Sequence, residues 1–131
     1  VALILSGLCW TTIAAAAVRF AMAQVGDAYV YGAAGPGAWD CSGLTMVAWA
    51  QAGVGLPHSS GAQFGTGPKV PSNALRPGDL VFYYSPISHV GIYIGEGRFI
   101  HAPSSRGKVR IDSLTNGWFA ARFEEARSYF E

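Results

Sequence analysis

Charge is scarce in this chain. Of 131 residues, 13% are Asp, Glu, Lys or Arg, against roughly 25% in an ordinary soluble domain. Half are apolar and 13% are aromatic. That composition excludes a disordered chain, which holds too little apolar surface to offset the entropy of folding. The formal net charge is only +1, too small to draw in nucleic acid by bulk electrostatics. Cysteine is scarce too. Cys9 and Cys41 could form one bridge at most, which excludes a small disulfide-stapled scaffold. Cys9 lies in an apolar run and Cys41 at a turn-to-helix boundary, so both are expected as free thiols. Internal repeats and low-complexity tracts are absent. So are C-x-x-C and H-x-x-x-H pairs, and neither Ser42 nor Ser60 stands in a G-x-S-x-G elbow. Cys plus two His could hold zinc, but their wide spacing argues against a metal site.

A long uninterrupted apolar run is also missing. Residues 1–18 carry no charge and resemble the apolar stretch of a signal segment, with Ala-Met-Ala at 21–23 resembling a cleavage site. Gly7, Thr11 and Thr12 break the run below the ~20 residues a membrane span requires. A packed N-terminal segment leading into a helix is expected, with no stable membrane span. At this size one domain can bury a core without staples.

What is present falls into two halves. Thr11 or Thr12 can cap a helix through the alanine-rich run up to Gly26. Residues 26–38 hold four glycines and a proline and read as loop. A second helix follows from Cys41 to Ala52, where Leu44, Val47 and Ala48 recur at helical spacing and Gly53 stops it. Residues 53–78 read as irregular. Strands are then expected at 79–84, 89–95 and 98–102, the last two joined by a Glu96-Gly97 turn. Val109–Ile111 extends the sheet and Arg122–Tyr129 closes it. Helices first and an antiparallel sheet second make an α+β fold.

Within that frame Cys41 stands out. A thiol attacks as thiolate, and an ordinary pKa near 8.5 leaves little of it at neutral pH. A helix N-terminus favours the anion, and Asp40 is placed to cap that helix. Ser42-Gly43 leaves room beside the sulfur. An isolated cysteine is more often a buried, inert one. A nucleophile also needs a base, and the histidines are His58, His89 and His101. The hairpin turn puts His89 and His101 on adjacent strands, offset by two or three residues and still neighbours. One imidazole can act on the thiol while the other orients it. Arg98, Arg106, Lys108 and Arg110 form a basic run that reads either as a solvated rim or as a surface for an anionic ligand.

The segments "DCSGL" at 40–44, "RPGDLVFY" at 76–83, "HVGIYIG" at 89–95 and "FIHAP" at 99–103 together resemble the NlpC/P60 family of cell-wall cysteine peptidases. The Gly-rich approach "GDAYVYGAAGPGAWDCSG" fits the same pattern, and the likeness runs from about residue 19 to 128. It implies a permuted papain-like fold, with N-terminal helices packed on a central antiparallel sheet of about five to six strands. Residues 1–18 would then be an extension packing on the domain, of a kind that covers the cleft in some relatives, and 19–131 the catalytic domain. The resemblance implies Cys41 as nucleophile, His89 as base and His101 as the third polar residue. Tyr29 with the Cys41 amide would form the oxyanion site, and Trp39, Asp40, Ser42, Ser60 and Ser88 would contact substrate.

The implied substrate is a peptidoglycan stem peptide, cut between γ-D-glutamate and meso-diaminopimelate. The resemblance implies a monomer outside the cell or at the wall, needing neither metal nor organic cofactor and binding no nucleic acid. An amidase or acyltransferase on a similar fold, or a catalytically silent wall-binding domain, are the alternatives. The chain departs from the family pattern at His58, where Arg is usual, at Tyr31 and Ala33, where Trp and Gly are common, and at Trp39, where Phe is usual.

Overall fold

The computed structural model describes residues 2–104 and 107–129, with side chains from Ile13 onward. Helix α1 spans Ala2–Ala23, β1 Ala28–Tyr29, β2 Ala38–Trp39, α2 Cys41–Ala50 and α3 Ser60–Phe64. The strands β3 Lys69–Val70, β4 Leu80–Tyr83, β5 His89–Gly95, β6 Arg98–His101, β7 Arg110–Ser113 and β8 Phe123–Arg127 follow. They form one six-stranded sheet in the order β3-β8-β4-β5-β6-β7, antiparallel at every pairing. This is the expected α+β architecture.

The first helix differs from expectation. It starts at Ala2, so Thr11 and Thr12 lie within it rather than capping it, and it ends at Ala23. Residues 18 and 19, where extension and domain were expected to meet, lie inside this one helix. The expected cover over the cleft, and the thiol of Cys9, fall largely on side chains outside the described residues. Among the described residues no helix is long and apolar enough to cross a membrane.

The sheet is covered on both faces, and the strand period of two explains how. Leu80 and Phe82 face one side with Val90, Ile92 and Ile100, where Leu44, Ala48 and Trp49 of α2 and Ala17 and Ala21 of α1 pack against them. Val81 and Tyr83 face the other side with Phe99, Phe119 and Ala126. A four-residue strand buried on both faces reads as an unbroken apolar run, which β4 is. Burying each large side chain contributes ~1.5–3 kcal/mol. Trp49 adds a directional lock, since its Nε1 donates to the Gly78 carbonyl at 3.0 Å and ties α2 to the approach to β4. Gly53, at φ +83°, ends the turn after α2 in the left-handed region that glycine tolerates.

Two stretches hold more structure than their composition suggests. Inside the glycine-rich loop β1 and β2 pair in parallel, Tyr29 opposite Trp39. Inside the irregular stretch, Ser59 caps α3 by accepting from the Ala62 amide. Gln63 of α3 is buried, donating to the carbonyls of Ser42 at 3.0 Å and Pro57 at 2.8 Å and accepting from Thr45 Oγ1 at 2.7 Å. This amide latches α3 onto the first turn of α2. Both helix ends and both short strands converge on Cys41.

Candidate active site

Cys41 is the first residue of α2, and its thiol is free and half-buried. Asp40 caps the helix from extended backbone, its Oδ1 accepting from the Gly43 amide at 2.7 Å. The same carboxylate accepts from the Gly32 amide at 3.0 Å, and its Oδ1 meets His58 Nε2 at 2.8 Å. One buried side chain therefore ties together the glycine-rich loop, the start of α2 and the segment before α3. His58, noted above as a departure from the resembled pattern, contacts this cap.

The helix start acts on the thiol as expected in kind, though not in sum. The amides of Val90, Ser42 and Cys41 favour the thiolate. Burial opposes them more strongly, and the Asp40 charge adds to burial, so the thiol pKa is raised. The expectation of a thiol kept ionised by its helix is corrected here: the resting group is a neutral thiol.

The two histidines stand on the neighbouring strands β5 and β6, their rings among Tyr83, Phe99 and Phe119, and the Val90 amide next to His89 meets the Cys41 sulfur. Ile92 pairs with Ile100 across β5 and β6, so the line continues to Gly91 opposite His101, two residues from His89. A Cβ at Gly91 would stand 2.7 Å from the Phe99 ring and 2.9 Å from the Ile100 carbonyl, so glycine there opens the space the pair occupies. His89 Nε2 meets His101 Nδ1 at 2.7 Å. His101 Nε2 meets Asp112 Oδ2 at 2.6 Å, and Arg110 Nε donates to that same oxygen at 2.7 Å. Phe119 lies beside both rings, with centroids 5.8 Å from His89 and 4.7 Å from His101. Burial in this aromatic box lowers His89 to about 3 and His101 to about 4. Both imidazoles are neutral at neutral pH, and His89 is free to accept a proton.

Asp112 did not emerge from the sequence. The expected strand stopped at Ile111, while β7 runs Arg110–Ser113 with His101 opposite Arg110 and Phe99 opposite Asp112. The available signal was an acid two residues beyond a base on the strand after a histidine. Arg110 thereby leaves the basic run for this cluster, and Arg98 pairs with Glu96 at 3.5 Å. Arg106 lies outside the described residues.

The expected substrate contacts divide. Ser60 is half-buried at the start of α3, and Ser88 is exposed immediately before His89. Asp40, 8% exposed, is committed to the helix cap. Trp39 is a correction: at 3% exposure it is a core residue, edge-on to Phe20 at 5.7 Å, with its Nε1 donating to Asp27 at 3.0 Å. Its ring lies over Gly35, where a Cβ would collide with it. Ser42 is also buried, under α3, and so is turned away from a ligand. Tyr29 is half-buried on β1, and burial together with the Cys41 and Asp40 charges raises its pKa. That coupling places its phenol in electrostatic reach of the thiol. Among the described residues no group of three or more His, Cys, Asp or Glu is arranged to hold a metal ion.

The buried histidines carry a stability consequence. A folded pKa below the unfolded value near 6.5 means that the unfolded chain binds protons the native state refuses. The stabilisation is present above pH 6.5 and is lost as pH falls toward about 4 and 3. Each histidine is expected to cost about 2 kcal/mol at pH 5. The carboxyl of Asp112, which burial would raise, is held low by Arg110 and His101, and it adds loss of the same sign further down. Urea midpoints at pH 8 and pH 5 measure the drop, and equal midpoints would contradict it.

Residues 26–128 match the NlpC/P60 family. Over 96 residues the chain is 48% identical to a "probable endopeptidase" of Mycobacterium tuberculosis, a match covering 73% of this chain and 25% of that protein. Over 101 residues it is 44% identical to "probable endopeptidase p60" of Listeria monocytogenes, covering 75% and 20%. The chain thus spans a quarter or less of the length of these relatives. A solved NlpC/P60 family protein from Bacillus cereus superposes with a TM-score of 0.86 at 28% identity, covering 90% of this chain and 40% of that one.

Proposed function

This chain belongs to the NlpC/P60 family and has its α+β papain-like fold, and from that premise we propose that it is a cysteine endopeptidase of peptidoglycan stem peptides. The bond we assign is the one between γ-D-glutamate and meso-diaminopimelate. The observation that carries the reading is the 2.7 Å hydrogen bond between His89 and His101 on strands packed under the helix that starts at Cys41.

Chemistry follows from the protonation states. His89, neutral, takes the proton of the neutral Cys41 thiol as the sulfur attacks the scissile carbonyl. Negative charge moves onto the carbonyl oxygen, where the Cys41 amide and the Tyr29 hydroxyl donate to it. The tetrahedral centre collapses, the C–N bond breaks, and the proton on His89 passes to the leaving amine. Water, deprotonated by His89, then attacks the thioester, and the thiol regains the proton as the acid departs. Because His89 is a weak base and Cys41 a weak acid here, proton transfer is uphill until the oxyanion forms. That arrangement makes the thiol slow to react until an electrophile is in place.

The substrate lies in the wall, so the protein acts outside the cell or at its surface, with residues 19–131 as the working domain. Ser60 and Ser88 are the accessible residues from which substrate contacts are drawn. Digestion of a diaminopimelate-containing muropeptide, with products identified by mass, tests the reading. Fragments split between D-glutamate and diaminopimelate are expected. Cleavage between the sugar lactyl group and L-alanine would replace endopeptidase with amidase, and an inert protein would leave a binding domain.

A further inference from the structure

We propose that Asp112 is a positioning residue that sets the proton arrangement of both histidines and thereby selects Nδ1 of His89 as the atom that receives the thiol proton. This rests on the reading of Cys41 and His89 as nucleophile and base.

The hydrogen bonds leave little freedom. Asp112 is ionised, so it can only accept, and the proton in its 2.6 Å contact sits on His101 Nε2. His101 is neutral, so its Nδ1 carries a lone pair. The 2.7 Å contact to His89 must then be donated by His89 Nε2–H. His89 is neutral as well, which leaves Nδ1 as its only unprotonated ring nitrogen. A carboxylate two side chains away thus dictates which nitrogen of the base is open. Arg110 completes the series by donating to Asp112 Oδ2 from outside at 2.7 Å. With Arg110 and His101 both donating to one oxygen, the carboxylate is oriented and stays ionised.

The neighbouring groups do not offer a substitute. Tyr83 from β4 and Phe119 pack against the rings, and Tyr83 holds its proton far above neutral pH because it is buried. Among the described groups, the charged ones in contact with the histidine pair and its carboxylate are Asp112 itself and Arg110. In Asp112→Asn the charge that holds Arg110 is gone, so the exposed Arg110 side chain can swing into solvent and the amide can turn its NH₂ toward His101. The sequence of donors then reverses, and His89 presents Nδ1–H to the thiol, an arrangement that cannot accept its proton.

Two readouts separate this role from a structural one. Nitrogen-15 NMR of the histidine rings is expected to show His89 protonated at Nε2 in the wild type and shifted toward Nδ1 in Asp112→Asn. With a muropeptide, kcat is expected to fall about 10²-fold with KM little changed, and Asp112→Glu is expected to restore most of it. Alkylation of Cys41 by iodoacetamide, read on the peptide that holds it, follows the thiol without any substrate. Its rate at neutral pH is expected to drop in Asp112→Asn. Thermal melting identifies any variant that fails to fold, for which Asp112→Glu is the folded comparison. An unchanged His89 tautomer and alkylation rate in folded Asp112→Asn would overturn the proposal. A wild type inert toward muropeptide that still shows both dependences would instead overturn the substrate and keep this role.

Discussion

Replacing Cys41 with alanine is expected to abolish muropeptide cleavage, lowering kcat by about 10⁴-fold or more, while leaving the fold intact. The size follows from the chemistry. The thiol sits at the helix start beside the amides of Val90 and Ser42, and alanine puts there no atom that can attack a carbonyl. The mildness for stability follows from the same position. Residue 41 opens the helix and is half-buried, and alanine keeps its place against the core while giving up only the sulfur's contacts with backbone amides. Mass analysis of the digest and a urea melt measure the two sides. Cys41→Ser sharpens the test. A hydroxyl is a far weaker acid than a thiol, and His89, lowered to about 3, is too weak a base to deprotonate it. Serine is therefore expected to be as inactive as alanine. Substantial activity in either variant would remove Cys41 as nucleophile.

The second large effect runs against helix propensity. Gly43 lies in the first turn of α2, where alanine would ordinarily add ~1 kcal/mol of stability. Here a Cβ would collide with the Ala33 carbonyl and stand 2.8 Å from Asp40 Oδ1 and 3.1 Å from His58 Nε2. The Ala33 carbonyl is backbone and already accepts the Asp40 amide at 2.9 Å, so it cannot move aside. Gly43→Ala must push the helix start off its cap. The expected loss is about 2–4 kcal/mol, in the range of overpacked cores. Activity is expected to fall with it, because the displaced turn carries Cys41. Gly55→Ala supplies the control, since nothing lies within 4 Å of a Cβ there. It is expected to change stability by no more than ~0.5 kcal/mol. Equal melts for the two variants would show that the cap tolerates displacement.

The helix at Cys41 and the β5–β6 hairpin were legible because period and turn chemistry are local signals. The offset between His89 and His101 followed from the turn alone. Asp112 was hidden because its role depends on the register of β7 against β6, which no neighbouring residue announces. Trp39 misled for a related reason. An aromatic beside a nucleophile reads as a substrate contact until Phe20 and Asp27, distant in sequence, are seen to enclose it. The sign of the Cys41 shift was illegible in principle. The helix N-terminus is a local feature that lowers the pKa, while burial is made by the whole fold and outweighs it. His58 could be noted in the sequence as a departure, but its contact with the cap is a tertiary fact.

On the proposed reading, packing α2 against β5 also governs when hydrolytic chemistry becomes possible. The thiol belongs to the first half of the chain and the imidazoles to the second, and the thiol meets the Val90 amide, next to His89, only once helix and sheet have docked. A nascent chain holds an ordinary thiol and ordinary imidazoles that act independently. Maturation of the core and onset of catalysis are, on the proposed reading, a single event, and a lesion that loosens the core silences the molecule before it can cut at random.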